Sequence, residues 1–458
     1  MNISDTVAAV ATPEGVGALG IVRMSGSNAF DIAGRIFKSV SGKKISLECR
    51  QYCLKHGVIH DTNVVIDEVM MTVMKSPHSY TGEDMIEIIC HGSSLIITRI
   101  LDLCLDNGAK AAEPGEFTRR AFLNNKMDLT QAESVNHLIN AHSARAQEEA
   151  VRILRGELKE KMGSLKDRII RIKANIDADI EWGETENINI LSREKIKEKI
   201  TECTAILEDM IRNSQPAEKV IRGRKIVICG KPNAGKSSLF NCILKSSRSI
   251  TSRIPGTTRD VIEIDTMLGG SLVNLVDTAG IGLDLKTIID KEAVKKSRQE
   301  IRDADMIIYV IDGKTGIEPK DSSVKRLLKG KHWIPVINKC DLKIKIDEKV
   351  LKRFCLEKKF NLISCKKGQG IKELIELIRN FLIREDNGKL MVTCRQKQAL
   401  KDAMKNLKNS MDILWQDNYR ELVSYEINEM MKDMGKIDGS TLEQEVLDSI
   451  FREFCIGK

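Results

Sequence analysis

Aromatic residues make up only 4% of the 458 positions, with three tryptophans and five tyrosines. Binding single strands by base stacking needs a row of such rings, so that class of nucleic-acid binder is not expected. No run of about 18 apolar residues occurs, which argues against a membrane-spanning helix. The opening "MNISDTVAAV" has neither the basic flank nor the apolar core of a secretory signal. None of the twelve cysteines forms a C-x-x-C pair. Zinc is therefore not expected, and the thiols read as small apolar residues of a reducing, cytoplasmic protein. Repeats at solenoid periods and low-complexity tracts are missing as well. What remains is a globular composition, 42% hydrophobic and 30% charged, on a chain long enough for two to four domains. The net charge of +8 permits an RNA partner without requiring one.

Four textures follow one another, and they predict a multidomain protein. Residues 1–120 alternate short apolar runs with glycines, as in "GALGIVRMSG" and "DMIEIICHG", and read as a mixed α/β unit with a helix around Ser94–Asn107. Residues 121–215 are helical. Val151, Leu154, Leu158, Met162, Leu165, Ile169, Ile172, Ile176 and Ile180 predict one apolar face along about eight turns, and Ile196, Ile200, Cys203, Leu207 and Ile211 a second. Residues 216–384 alternate strand and helix from "RKIVICG" onward. Residues 385–458 are helical again, with a stripe at Leu400, Met404, Leu407, Met411 and Leu414. Ser440 and Glu443 stand at capping-box spacing before a last helix. The simplest arrangement is an all-α bundle in two halves, closing on each other around an inserted Ras-like α/β domain.

The inserted domain carries the chemistry. Gly230 to Ser237, "GKPNAGKS", fits G-x-x-x-x-G-K-[ST], after a strand and before a helix. Backbone N–H groups of Asn233, Ala234, Gly235 and Ser238 would face phosphate. Lys236 would reach the β and γ oxygens, and Ser237 would offer a hydroxyl to Mg²⁺. Alone, this loop suits an ATPase equally well. Two further motifs point to guanine. Asp277-Thr278-Ala279-Gly280 ends the strand "LVNLVD" and sends a carboxylate toward the metal. Asn338-Lys339-Cys340-Asp341 ends "WIPVIN", where the carboxylate accepts from N1–H and the 2-amino group of guanine, donors that adenine lacks. Ser364-Cys365-Lys366 supplies the remaining base loop. All stand where a doubly wound sheet gathers its ligand.

Between these motifs, Ser252, Arg253, Ile254, Pro255, Gly256, Thr257 and Thr258 form a segment similar to switch I of the TrmE–Era–Der group. Thr258 would be the second Mg²⁺ ligand. After the DTAG glycine, Ile281 replaces the glutamine with which Ras-like enzymes orient water. Some other group must then orient the water, and an acid downstream is the natural candidate. Asp290 is favoured, with Glu292 as the alternative, although both also suit the start of a solvated helix. No arginine finger is evident, though Arg253 and Arg259 are nearby; a monovalent cation is the other source of positive charge, and Asn233 offers it an amide oxygen.

Over its whole length the chain resembles the MnmE (TrmE) family of tRNA-modification GTPases. "DTVAAVATPEG", "SYTGEDMIEIICHG", "EPGEFTRRAFLNNKMDLTQAESV" and the terminal "FCIGK" carry the likeness. It implies an N-terminal domain similar to folate-binding one-carbon enzymes. It places 5-formyl- or methylene-tetrahydrofolate on Arg23, Glu83, Lys126 and Lys458, residues that taken alone are ordinary surface charges. K⁺ would lie among Asn233, Ser252, Ile254 and Thr257. Ser252 stands where threonine is usual, and Asp290 where the family has a glutamate. Glu14 and Val16 likewise replace proline and arginine. The resemblance further implies a homodimer formed through the N-terminal domains. With an FAD-dependent partner, MnmG, it forms a heterotetramer that modifies carbon 5 of the wobble uridine in certain tRNAs. It raises Cys455 from a packing residue to a catalytic candidate. The alternative, a ribosome-assembly GTPase of the Era/Der type, leaves "GEDMIEIICHG" without a role. Prenylation of Cys455 is excluded because Lys458 does not fit the C-a-a-X rule.

Overall fold

A computed structural model of the chain describes residues 5–40, 51–62, 64–182, 191–221, 223–246, 248–249, 262–278, 288–317, 326–342, 344, 350–351, 354, 359–386, 390–414, 416 and 419–458. The chain forms two compact units. One comprises residues 1–139, 151–208 and 398–458, and the other residues 140–150 and 209–397.

The first unit opens with β1 (Val7–Val10), β2 (Leu19–Ser25), α1 (Ala29–Ile36), β3 (Phe37–Lys38), β4 (Tyr52–Asp61), β5 (Val64–Met74), β6 (Met85–His91), α2 (Ser94–Asp106), β7 (Lys110–Ala111) and α3 (Glu116–Leu123). The seven strands pair in the order β3-β4-β5-β6-β2-β1-β7. The pairs are antiparallel except β1 with β7. Alternation along β2 and β6 sorts the side chains. Val22, Met24, Ile86 and Ile88 are buried in one cluster with Ile32 of α1 and Ile97 and Ile100 of α2. Their neighbours Arg23 and Glu87, paired in register, take the other face.

Helices follow: α4 (Leu129–Ile139), α5 (Ala144–Leu154), α6 (Glu157–Trp182) and α7 (Arg193–Arg212). The expected single stripe from Val151 to Ile180 is a correction on two counts. The helix breaks at Gly156, whose φ of +95° lies in the left-handed region that closes α5. The break resets the register, so α5 buries Ala146, Ala150 and Ile153 instead of Val151 and Leu154. At the far end Ile180 is 40% exposed and Asp179 is buried in its place. Asp179 accepts a hydrogen bond from the Tyr419 hydroxyl at 3.1 Å and pairs with Arg420. The middle of the stripe, Leu158 to Ile176, is buried as expected, as are Ile196, Ile200, Cys203 and Leu207 of α7. Each such side chain contributes about 1.5–3 kcal/mol.

The second unit contains β8 (Ser214–Pro216), α8 (Ala217–Ile221), β9 (Arg224–Gly230), α9 (Lys236–Ser246), β10 (Arg248–Ser249), β11 (Ile262–Leu268), β12 (Ser271–Asp277), α10 (Ile288–Asp303), β13 (Met306–Asp312), β14 (Trp333–Asn338), β15 (Asn361–Leu362), α11 (Ile371–Asp386) and β16 (Leu390–Val392). Its sheet runs β10-β11-β12-β9-β13-β14-β15, parallel from β12 onward. Ile226 and Ile228 of β9 pack with Leu239 and Ile243 of α9 and Ile378 of α11 on one face. Val227 and Cys229 pack with Ile301 of α10 on the other. This is a doubly wound α/β layer, and it puts the strands' carboxyl ends on one edge. The short β8 pairs with β16 where the chain enters and leaves.

The chain ends in the first unit with α12 (Cys394–Ile413), α13 (Tyr419–Asp438) and α14 (Gln444–Arg452). Here α6 packs on α13, with Ser424 donating to Asp177 at 2.7 Å. The two helical halves thus close on each other. The capping box does not form: α14 starts at Gln444 after Glu443, with no side-chain cap. Ser440 instead follows the end of α13, its N–H bonded to Asp438 Oδ1. No helix among the described residues is long and apolar enough to cross a membrane.

Candidate functional site

Each unit holds one cluster of converging polar side chains. In the second unit, the loop after β9 turns into α9 with Asn233 at φ +62°. Lys236 is buried and donates from Nζ to the main-chain oxygen of Lys231 at 2.9 Å. Burial pushes this ammonium below the ordinary lysine value, partly offset by Asp277. Burial pushes the Asp277 carboxyl up, against the Ser237 hydroxyl and the charge of Lys236. Ser237 Oγ donates to Asp277 Oδ2 at 2.6 Å. Asp277 Oδ1 is buried and has no hydrogen-bond partner among the described residues. An orphaned carboxylate oxygen beside a hydroxyl is a hard-oxygen set that suits Mg²⁺. Thr278 is buried and its hydroxyl donates to Ile228 O at 2.9 Å.

The base side is built around Asn338 at the end of β14. Its Nδ2 donates to Ala234 O at 2.9 Å, while its Oδ1 accepts from the N–H of Lys339 at 2.8 Å and of Cys365 at 3.2 Å. One amide therefore joins the phosphate loop to both base loops. Lys339 Nζ reaches Asn233 O at 2.8 Å and Asp312 Oδ2 at 2.6 Å. Ser364 Oγ donates to Asp341 Oδ1 at 2.7 Å, and that bond holds the Asp341 carboxyl below the usual range. Asp341 is thus an ionised acceptor for a paired N–H edge. Burial pushes the Cys365 thiol up to about 12, so it stays protonated and is no nucleophile. Gly235, Ser238, Asn338, Lys339, Asp341, Cys365 and Lys366 line a cavity of about 440 Å³ with Leu342, within the range for a small-molecule site.

The phosphate and base residues expected from the sequence are therefore gathered at one sheet edge. Ser252, Arg253, Ile254, Pro255, Gly256, Thr257, Thr258, Ala279 and Gly280 lie outside the described residues, as do the side chains of Asp290 and Glu292 at the start of α10. Asp312 was missed by sequence reasoning. Its signal was its place at the carboxyl end of β13, on the edge that gathers ligands.

The second cluster, in the first unit, joins the ends of the chain. Arg23 donates from Nε and Nη2 to Glu87 Oε1 at 2.8 and 2.7 Å, and from Nη1 to Gly457 O at 2.8 Å. Its guanidinium lies 5.7 Å from the Tyr80 ring centre and 5.5 Å from that of Phe117. The tail supplies acceptors to the start of α3. Gly115 N–H bonds Cys455 O at 3.3 Å and Phe117 N–H bonds the main-chain oxygen of Lys458 at 3.2 Å, groups that a helix N-terminus leaves unpaired. Gly457 has φ +88°, and a Cβ there would lie 2.3 Å from Val10 O. Lys458 is half-buried; burial and the nearby Arg23 push its ammonium down, while Glu87 opposes. Glu83 accepts from Ser25 Oγ at 2.7 Å and from Arg120 Nη1 at 3.0 Å. Lys126 Nζ donates to Pro77 O at 2.9 Å, and its stem lies by Gly82. Cys455 is exposed and follows α14, while Phe454 is buried. The expectation that the cysteine packs on a helix end is corrected. Glu87, Arg120, Ser25 and Tyr80 were not singled out from the sequence, because no local spacing marks them.

The family model described as the MnmE helical domain matches residues 129–455, and that described as the GTP-binding protein TrmE N-terminus matches residues 6–126. The chain is 39% identical to "tRNA modification GTPase MnmE" of Clostridioides difficile and 37% identical to the protein of that name in Thermoanaerobacter pseudethanolicus. Each alignment covers 100% of both chains. Among solved structures, Era of Aquifex aeolicus bound to GDP·AlF4⁻ aligns over 40% of this chain and 66% of that one. The identity is 29% and the TM-score 0.28.

Proposed function

This chain belongs to the MnmE family of tRNA modification GTPases, and from that premise we propose its finer role. With an FAD-dependent partner, MnmG, it installs an aminomethyl or carboxymethylaminomethyl group on carbon 5 of the wobble uridine of certain tRNAs. A tetrahydrofolate supplies the one-carbon unit. The observation that carries the reading is the coexistence of two sites. A cavity suited to guanine sits beside a phosphate loop in one unit. A polar cluster at which Arg23 meets the tail's main chain sits in the other. GTP hydrolysis then acts as a conformational drive, separate from the uridine chemistry.

The residues divide the work as follows. Asp341 accepts from the guanine edge, and Lys236 places its charge against the β and γ phosphates. Ser237 and Thr258 would hold Mg²⁺, with the Asp277 carboxylate beside them. When bound, the ion neutralises phosphate charge. Asp290 orients the attacking water. Asn233, Ser252, Ile254 and Thr257 hold K⁺. Arg23, Glu83, Lys126 and Lys458 bind tetrahydrofolate, with Cys455 at the same site. The protein acts in the cytoplasm as a homodimer, in a heterotetramer with its partner. The boundaries at 120, 215 and 384 are proposed for the folate, helical and G domains. Mass spectrometry of wobble uridine in cells lacking this protein tests the reading. Loss of the carbon-5 group supports it, and unaltered uridine chemistry overturns it.

A further inference from the structure

We propose that Cys242 and Cys365 are a covalent-modification site, an oxidisable thiol pair whose disulfide loosens the guanine cavity. The proposal rests on the guanine reading of that cavity. Cys242 lies on α9, the helix that carries Lys236 and Ser237 at its start. Cys365 lies in the base loop and lines the cavity. The Cys242 thiol donates to the main-chain oxygen of Cys365 at 3.5 Å. The two thiols also meet directly. By charge and by hydrogen bond, the Cys242 sulfur adds to the rise that burial causes in the Cys365 thiol. Both side chains pack against one apolar cluster, with Leu239 and Ile243 of α9 and Ile378 of α11. Cys90, Cys104, Cys203 and Cys229 are buried, the ordinary place for a free thiol, whereas these two are only partly covered. A small reagent entering the cavity therefore reaches one thiol with a second beside it.

The oxidant is a low-molecular-weight disulfide. The Cys242 thiolate, its proton given to water, attacks one sulfur of the reagent and releases a thiolate. Cys365 then gives up its proton and attacks Cys242 Sγ, which forms the Cys242–Cys365 bond and releases the second thiolate. The reagent gains two electrons and two protons, and the protein loses the hydrogens of two thiols. Burial makes the Cys365 thiolate scarce, and the high effective concentration of an intramolecular partner offsets that. The bond requires the two sulfurs to close to about 2.05 Å, and Cys365 cannot move alone. Its N–H bonds Asn338 Oδ1 at 3.2 Å, and its neighbour Ser364 donates to Asp341 Oδ1 at 2.7 Å. Drawing Cys365 toward α9 disturbs both the amide that joins the loops and the carboxylate that accepts from guanine. A bound base opposes the same movement, so nucleotide binding and oxidation disfavour each other reciprocally.

The test uses the full-length protein with glutathione disulfide as the probe. Peptide mapping by mass spectrometry, after free thiols are blocked, detects the Cys242–Cys365 crosslink. Titration with fluorescently labelled GDP measures affinity before oxidation, after it, and after dithiothreitol. The expected result is the crosslink, an affinity lower by about tenfold, the scale of one lost hydrogen bond, and full recovery with dithiothreitol. At a fixed ratio of reduced to oxidised glutathione, saturating GDP should lower the ratio of crosslinked to reduced protein by about the same factor. Cys242→Ser should bind GDP as the reduced native protein does and lose the response to oxidant. Reduced native protein that binds no GDP would overturn the guanine reading, and the proposal with it. With GDP binding intact, a missing crosslink, or a crosslink that leaves affinity unchanged, overturns the proposal alone. So does an affinity loss that survives in Cys242→Ser, which would assign the effect to another thiol such as Cys340. Should that variant fail to fold, the native map decides: an affinity loss that tracks the crosslink supports the pair, and one that tracks a mixed disulfide at another cysteine overturns it.

Discussion

Around the guanine cavity, the contributing groups come from loops at the carboxyl ends of neighbouring parallel strands. Asn338 alone ties three of those loops together. In the first unit, Arg23 and Gly457 meet across 434 residues of sequence, and the tail is held by a few main-chain bonds. The first kind of site is fixed by the sheet itself. The second depends on a terminal segment staying docked. The comparison teaches that a single backbone change should abolish the second site and leave the first untouched.

The largest expected effect is at the first site. Lys236→Ala should lower GTP turnover by about 100-fold or more, since it removes the buried ammonium proposed to meet the phosphates. Tetrahydrofolate affinity should not change. A steady-state phosphate-release assay beside calorimetry checks both, and parallel losses would break the comparison. Next comes Gly457→Ala. The added Cβ meets Val10 O at 2.3 Å, on a backbone at φ +88°, a strain of about 1–3 kcal/mol. Affinity for 5-formyltetrahydrofolate should fall about tenfold while GTP turnover holds, and an unchanged affinity would show that the tail is not part of the site.

A smaller effect follows from Lys458. Burial and Arg23 hold its ammonium below the ordinary lysine range. Below that lowered value the group is charged and can hold an anionic ligand. As pH rises through it, the charge and the affinity are lost together. Titrating binding upward from neutral pH should therefore show a decline that starts below the range of an ordinary lysine, and Lys458→Arg should flatten it. A decline that survives in the arginine variant would point to another group. The smallest effect is at Ser440. Because no capping box forms there, Ser440→Ala should shift stability by no more than about 0.5 kcal/mol, against about 1 kcal/mol for a working cap. Urea denaturation measures the difference.

Legibility in the sequence follows the same division. Gly230 to Ser237 and Asn338 to Asp341 were readable because each is a short run whose neighbours in sequence are its neighbours in space. Ile196, Ile200 and Leu207 were readable through their spacing alone. Ile180 was not, because the helix's slow drift brings Asp179 to the buried position, where Tyr419 and Arg420 satisfy it. Gly156 was overlooked because the apolar spacing continues across the break. Glu87 and Arg120 were invisible for another reason. Each looks like a surface charge until register or packing supplies a partner, Arg23 across the strands and Glu83 across a loop. The capping-box spacing at Ser440 misled, since α13 runs to Asp438 and the turn after it uses those residues.

Deleting residues 455–458 tests the central claim most directly, with GTP turnover and wobble-uridine chemistry measured on the same variant. The account predicts normal GTP turnover and loss of the carbon-5 group from the wobble uridine. Retention of both activities would contradict it, and so would loss of GTP turnover with the tail.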